Sequence, residues 1–184
     1  VLNKDGSFQK TLSFRGPDLA SSTDASLVAI RAQLNNALRR LGSRWCLHIE
    51  ALRAASQDYS AGEFPDPVSD LIDDERRVAF EAQERHFESR YFLTLTYLPP
   101  EEAVSTAESL LLENAPSGRG AAGMYRAALN DFLGTVRQVV DILTAIMPRV
   151  RELSDDETLT YLHGCVSTKP HYVRTPETPA YLDA

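Results

Sequence analysis

The string Gly118-Arg119-Gly120-Ala121-Ala122-Gly123 spells G-x-G-x-x-G ahead of a helical pattern. After a strand, glycines at that spacing let a pyrophosphate approach the backbone and rest on a helix N-terminus. The surroundings here are wrong for that chemistry. Leu110-Leu111-Leu112-Glu113 reads as helix rather than strand, and Pro116 interrupts the approach. The acidic strand end that should follow is missing, since Asp141 falls in mid-helix. The string reads instead as a flexible Gly-rich linker, with a weak anion site at the start of the next helix as its alternative use.

Other chemistry is scattered. No G-x-x-x-x-G-K-[ST] occurs, so the chain has no P-loop. His48, His86, His163 and His171 have no metal-ligand spacing and read as surface or half-buried side chains. Asp73-Asp74-Glu75 and Asp155-Asp156-Glu157 lie at or near helix starts, where the helix dipole accounts for them without an acid–base role. No serine stands in a nucleophile elbow. Cys165 is two residues from His163, a spacing that keeps the pair from facing each other on a helix. Arg15-Gly16-Pro17-Asp18-Leu19 reads as a strand-to-helix corner in which Asp18 bonds nearby amides, with a docking corner as its alternative use. The expectation is therefore no catalytic, cofactor-binding or metal-ligating residue in this chain.

Composition narrows the partners. The chain has 184 residues, 43% hydrophobic and 24% charged, enough to bury a core without disulfide or metal. A net charge of −7, with no Lys/Arg cluster, argues against a nucleic-acid surface. The two cysteines, in unrelated contexts, suit a reducing compartment. No apolar run approaches the ~20 residues of a membrane-spanning helix, and no signal peptide is visible. With no initiator Met, and with Val1-Leu2 reading as mid-strand, the chain is expected to be cut from a longer protein at both ends.

The elements that would carry these residues follow from periodicity. Val1-Leu2 and Phe8–Phe14 predict a hairpin, with Asp5-Gly6 supplying a two-residue turn. Leu27, Ile30, Leu34, Leu38 and Leu41 mark a helix from Thr23 to Leu41, capped by Ser22 or Thr23. Arg44–Arg53 alternates as a strand with Trp45, Leu47 and Ile49 on one face. A loop leads to Pro67, which opens an amphipathic helix reaching Glu84. Arg90–Leu98, apolar or threonine on both faces, predicts a central strand.

Pro99 starts a short helix to Glu113, and Asn114–Gly123 is the linker. The longest helix runs from Ala122 to Ile146 with a wide buried face, and Val150–Leu153 is a short strand. Ser154 and Glu157 form a capping-box pattern for a last helix to Val166. This order predicts an α+β two-layer sandwich with a mixed or antiparallel sheet. The preferred version is a ferredoxin-like core with inserted helices, ahead of a doubly wound parallel sheet.

Five stretches, in order along the chain, resemble a known family. They are Asp5–Leu19, Asn35–Gly42 before the Trp45 strand, Arg90–Pro100 (Arg-Tyr-Phe-Leu-Thr-Leu-Thr-Tyr-Leu-Pro-Pro), Tyr161–Cys165 and Pro179–Asp183. Together they resemble the N-terminal domain of the TrbE/CagE/VirB family of type IV secretion ATPases, nearest its conjugal-transfer branch.

The resemblance implies a protein built of two portions. The absent C-terminal portion would be a RecA-like motor with Walker A and B motifs, so ATP and Mg belong to the full-length protein and no cofactor to this chain. Residues 1–166 would form a non-catalytic docking domain, and 167–184 a linker toward the motor. The implied partners are its own ATPase domain, inner-membrane components of the secretion machine and other copies of itself, without direct nucleic-acid contact. The implied location is cytoplasmic, peripheral to the inner membrane. The amphipathic helix Pro67–Glu84 and its flanking loops are the candidate contact surface, set against the more ordinary expectation that this helix packs on the sheet. The competing reading is a small nucleotide-binding module using the Gly118–Gly123 loop, and a DNA-handling domain comes third.

Overall fold

Residues 1–56, 59–60, 62–82, 86–100, 119–167, 169 and 171–176 are described by the computed structural model. Four strands and four helices follow in order within them: β1 (Phe8–Arg15), α1 (Asp24–Leu38), β2 (Trp45–Ser56), α2 (Pro67–Glu81), β3 (His86–Tyr97), α3 (Arg119–Ile146), β4 (Arg149–Glu152) and α4 (Asp155–Val166). The strands form one antiparallel sheet in the order β2-β3-β1-β4. That connectivity is the split β-α-β arrangement of the ferredoxin-like fold, with α2 inserted between β2 and β3.

Local chemistry sets each helix start. Thr23 Oγ1 accepts from Ser26 N (3.3 Å) at α1, and Asp66 Oδ2 accepts from Ser69 N (3.0 Å) at α2, where Pro67 occupies the first turn. At α4 both halves of the predicted capping box form. Ser154 N donates to Glu157 Oε2 (2.8 Å), and Glu157 N donates to Ser154 Oγ (3.3 Å).

The first turn differs from its expectation. Only Gly6 has positive φ, 78°, and hydrogen bonds from Gly6 N to Asn3 O (3.0 Å) and Asn3 N to Ser7 O (2.9 Å) enclose three residues rather than two. Asp5 Oδ1 accepts from Ser7 N (3.0 Å) and Ser7 Oγ (2.6 Å), fixing the loop without a left-handed Asp5.

The chain divides into two compact units, Val1–Glu50 with Phe92–Ala184, and Ala51–Tyr91. In the first, the core lies between the sheet and α3. Phe8 and Leu12 of β1 and Leu93 and Leu95 of β3 meet Ala128, Phe132, Val136, Val139 and Leu143, which recur every three or four residues along one face of α3. An aromatic cluster closes one end of this core. Phe8 lies 5.1 Å from Tyr125 and 5.5 Å from Phe132, and Trp45 lies 4.9 Å from Tyr97 and 5.6 Å from Phe132, between ring centroids. Trp45, Leu34 and Leu41 pack against it as half-buried flanks.

Pairing of β1 with β4 sets Leu12 opposite Glu152 and Phe14 opposite Val150. Lys10, an exception in the apolar alternation of β1, reaches Glu152 at 2.8 Å. On the other face of the sheet, the Phe92 ring meets that of Tyr161 of α4 at 4.6 Å in a tilted pair, so the last helix covers some of the side away from α3.

The strands flanking α2 run further than their apolar pattern. β2 continues to Ser56 and β3 starts at His86, against predicted limits of Arg53 and Arg90. Most of the predicted segments 99–113 and 114–123 lies outside the described residues. The helix expected from Ala122 already begins at Arg119.

Candidate docking surface

α2 carries the most unusual surface of the chain. At about 100° per residue, Val68, Leu71, Ile72, Val78 and Ala79 fall within a roughly 120° arc, with Glu75 inside it. Val68 is 63% exposed, Leu71 62%, Ile72 47% and Val78 62%. Apolar side chains at helical spacing ordinarily face a core; here the predicted stripe forms and faces outward. Phe64, in the loop before the helix, is also exposed.

The opposite side of α2 is held by its own loop. Tyr59 Oη donates to Asp73 Oδ1 at 2.6 Å, and the Tyr59 ring meets Phe80 edge-on at 5.5 Å. The Asp73 carboxylate raises the Tyr59 phenol above its ordinary pKa, so the donor stays protonated. Arg53 of β2 lies over the Phe87 ring of β3 at 4.4 Å, tying the strand ends of the same unit. No described residue of Ala51–Tyr91 is buried. Its order therefore rests on hydrogen bonds and partial contacts rather than a core of its own.

Charge is concentrated in the same place. Residues 51–91 contain ten Asp/Glu against five Lys/Arg, a local charge of −5 out of the chain's −7. Asp74 is paired to Arg77 at 2.6 Å. Asp70, Glu75 and Glu81 have no ion-pair partner among the described residues.

The remaining sequence candidates are not brought together. Gly120 and Gly123 lie within α3, and Gly118 lies outside the described residues, so the G-x-G-x-x-G string does not form a strand-to-helix phosphate loop. His48 Nε2 meets Cys46 Sγ at 3.3 Å, on the exposed face of β2. Cys165 makes no bond to His163; its thiol points to Glu50 Oε2 at 3.5 Å. Partial burial of the thiol, then the Glu50 carboxylate, push the Cys165 pKa up, the opposite of nucleophile activation. The His163 ring lies 5.6 Å from His171 instead. No group of three or more His, Cys, Asp or Glu among the described residues could hold a metal. Asp18 Oδ1 accepts from Ala20 N at 3.0 Å, the local amide contact expected of the Arg15–Leu19 string.

One arrangement had no signal in the sequence. Residues 171–176 are strapped to α4. Asp156 Oδ1 accepts from Thr175 N (2.7 Å) and Thr175 Oγ1 (2.6 Å), and Asp156 Oδ2 accepts from Tyr172 Oη (2.9 Å). Val173 N donates to Thr160 Oγ1 at 3.0 Å. Asp156 reads in sequence as a helix-start acid, and nothing local marks it as a clamp.

Fold and surface together define an α+β module whose distinctive chemistry is an exposed apolar helix face in an acidic unit. Comparison with known proteins makes the class specific. The family described as type IV secretion system ATPase VirB4/TrbE, N-terminal domain, matches residues 1–105. The conjugal transfer protein TrbE of Rhizobium radiobacter is 37% identical over 199 aligned positions, covering 100% of this chain and 24% of that protein. A probable conjugal transfer protein TrbE (its first portion) of Sinorhizobium fredii (strain NBRC 101917 / NGR234) is 40% identical over 115 positions, 61% of this chain and 77% of that protein. The chain belongs to the VirB4/TrbE family of type IV secretion ATPases and corresponds to its N-terminal domain. It spans about a quarter of the length of the Rhizobium radiobacter relative. No helix among the described residues is long and apolar enough to cross a membrane.

Proposed function

We propose that this chain is the docking and assembly domain of a conjugal-transfer ATPase. It holds the motor of the full-length protein to the inner-membrane side of the type IV secretion machine and contacts neighbouring subunits. It works on the cytoplasmic face, peripheral to the membrane. ATP and Mg are bound by the motor, and this chain hydrolyses no ATP on its own. The observation that carries the reading is the exposed apolar face of α2 in a unit without a buried residue among those described. Such surfaces mark interaction sites in stable proteins.

Fractionation of cells with and without the other transfer components tests this reading. The chain is expected in the membrane fraction only when those components are present, and a Leu71→Asp/Val78→Asp variant in the supernatant in both cases. Identical distribution of the two chains, or ATP turnover by the purified chain, would overturn it.

A further inference from the structure

We infer that the occupant of the α2 face is a basic amphipathic helix of a partner protein, seated with its apolar side on Val68, Leu71, Ile72 and Val78. This rests on the docking reading and names the chemistry of the partner. The face has the geometry of a helix seat, being a straight row of exposed aliphatic side chains on a 15-residue helix. Its length from Val68 to Val78, at about 1.5 Å per residue, matches about three turns of a partner helix.

Charge decides among the occupants. The carboxylate of Glu75 stands inside the apolar arc, Asp70, Glu81 and the Arg77-paired Asp74 fall along one flank with Arg76 on the other, and the surrounding unit carries −5. An apolar surface with a carboxylate inside it and a row of acids along one flank is complementary to a helix that carries Lys and Arg beside its apolar side. A second copy would bring −5 against −5. In an antiparallel pairing centred on the helix it would also set Glu75 beside its own copy. A bilayer of anionic lipids repels the same acids, and amphipathic helices that lie on such surfaces carry a basic polar face. The observations therefore favour a basic protein helix over either alternative.

The test uses the whole 184-residue chain, isotopically labelled, with an 18-residue helical Leu/Lys amphipathic peptide as probe. A Leu/Glu peptide of the same pattern, phosphatidylglycerol vesicles and the chain alone at increasing concentration are the comparisons. The Leu/Lys peptide is expected to bind and to shift amide signals of α2. Leu71→Asp and Glu75→Lys are each expected to weaken it about tenfold or more, as loss of a central contact does. Both positions are exposed, so the melting temperature of these variants should match that of the parent chain and confirm that they are folded.

Equal binding of the Leu/Glu peptide, or Leu/Lys binding insensitive to Leu71→Asp, overturns the inference. So does α2-dependent binding to the vesicles, or self-association abolished by Leu71→Asp. If any of these holds while Leu71→Asp/Val78→Asp still releases the chain from the membrane fraction, the partner chemistry is wrong and the docking reading stands. If the peptide binds as expected but the variant is not released, the docking reading is the one that fails.

Discussion

The hydroxyls of Thr11 and Thr94 meet at 3.1 Å in the middle of the sheet, Thr11 being 0% and Thr94 5% exposed. The bond joins β1 to β3 on the side away from α3. The Tyr161 hydroxyl of α4 faces the same side of the sheet, and burial raises its pKa. Thr11 and Thr94 therefore tie β1 to β3 through one buried pair of hydroxyls.

That pairing sets the costs. Thr11→Val and Thr94→Val each leave the other hydroxyl buried without its partner across the strands. A buried hydroxyl left without a partner costs about 1–3 kcal/mol, and removal of both members of a pair is milder. Urea unfolding is expected to show a loss of this order for each single variant. The double variant should lose clearly less than the sum. Additive losses would show that the contact contributes nothing.

A second prediction contrasts two leucines. Leu95 is 0% exposed against α3, and Leu71 is 62% exposed on α2. Leu95→Ala is expected to cost about 2–5 kcal/mol through lost burial and a residual cavity. Leu71→Ala should stay within about 0.5 kcal/mol, as exposed substitutions do. Chemical denaturation of both variants checks this, and a large cost at Leu71 would mean its side chain is covered in solution.

These two positions also show what was legible in the sequence. Helix starts could be read because Thr23, Asp66 and Ser154 act within three residues of themselves. The buried stripe of α3 could be read because its period is that of a helix. The stripe of α2 reads in the same way, since periodicity reports that a helix has an apolar side and says nothing of what covers it. The outer ends of β2 and β3 escaped because His86–Arg90 has no apolar alternation to mark a strand. The Thr11–Thr94 bond, 83 residues apart in sequence, and the strap onto Asp156 are tertiary facts with no local trace.

The capping box of α4 yields a third prediction, with a pH dependence. Arg151 Nη1, 2.6 Å away, and then the Ser154 amide hold the Glu157 carboxyl at a pKa of about 2, below its ordinary range. A depressed folded value means that the contribution is present above the unfolded pKa of about 4.3 and is lost as pH falls toward 2. Glu157→Gln is expected to narrow the stability gap between pH 6 and pH 3 relative to the parent chain. The side chain is 39% exposed, so the effect should shrink at high salt. Ser154→Ala should cost about 1 kcal/mol at any pH. Thermal melts at pH 3 and pH 6, at low and high salt, measure each contribution.

The strap on α4 supplies the last prediction. Asp156 accepts three hydrogen bonds from Thr175 and Tyr172, and the Thr175 hydroxyl, its amide and then the Tyr172 phenol lower its pKa. The sign is again that of a depressed carboxyl: the strap is held above the ordinary Asp range and released as pH falls through the folded value. Asp156→Asn removes the charge and keeps one acceptor, so it should loosen residues 171–176 without unfolding α4, whose cap is Ser154. Hydrogen exchange is the direct measure, because it reads local opening separately from global stability. Faster exchange at Val173 and Thr175, with unchanged rates in the middle of α3, is expected for the variant at neutral pH and for the parent chain in acid. Uniform acceleration across α3 and α4 would show instead that Asp156 supports the whole fold rather than the strap.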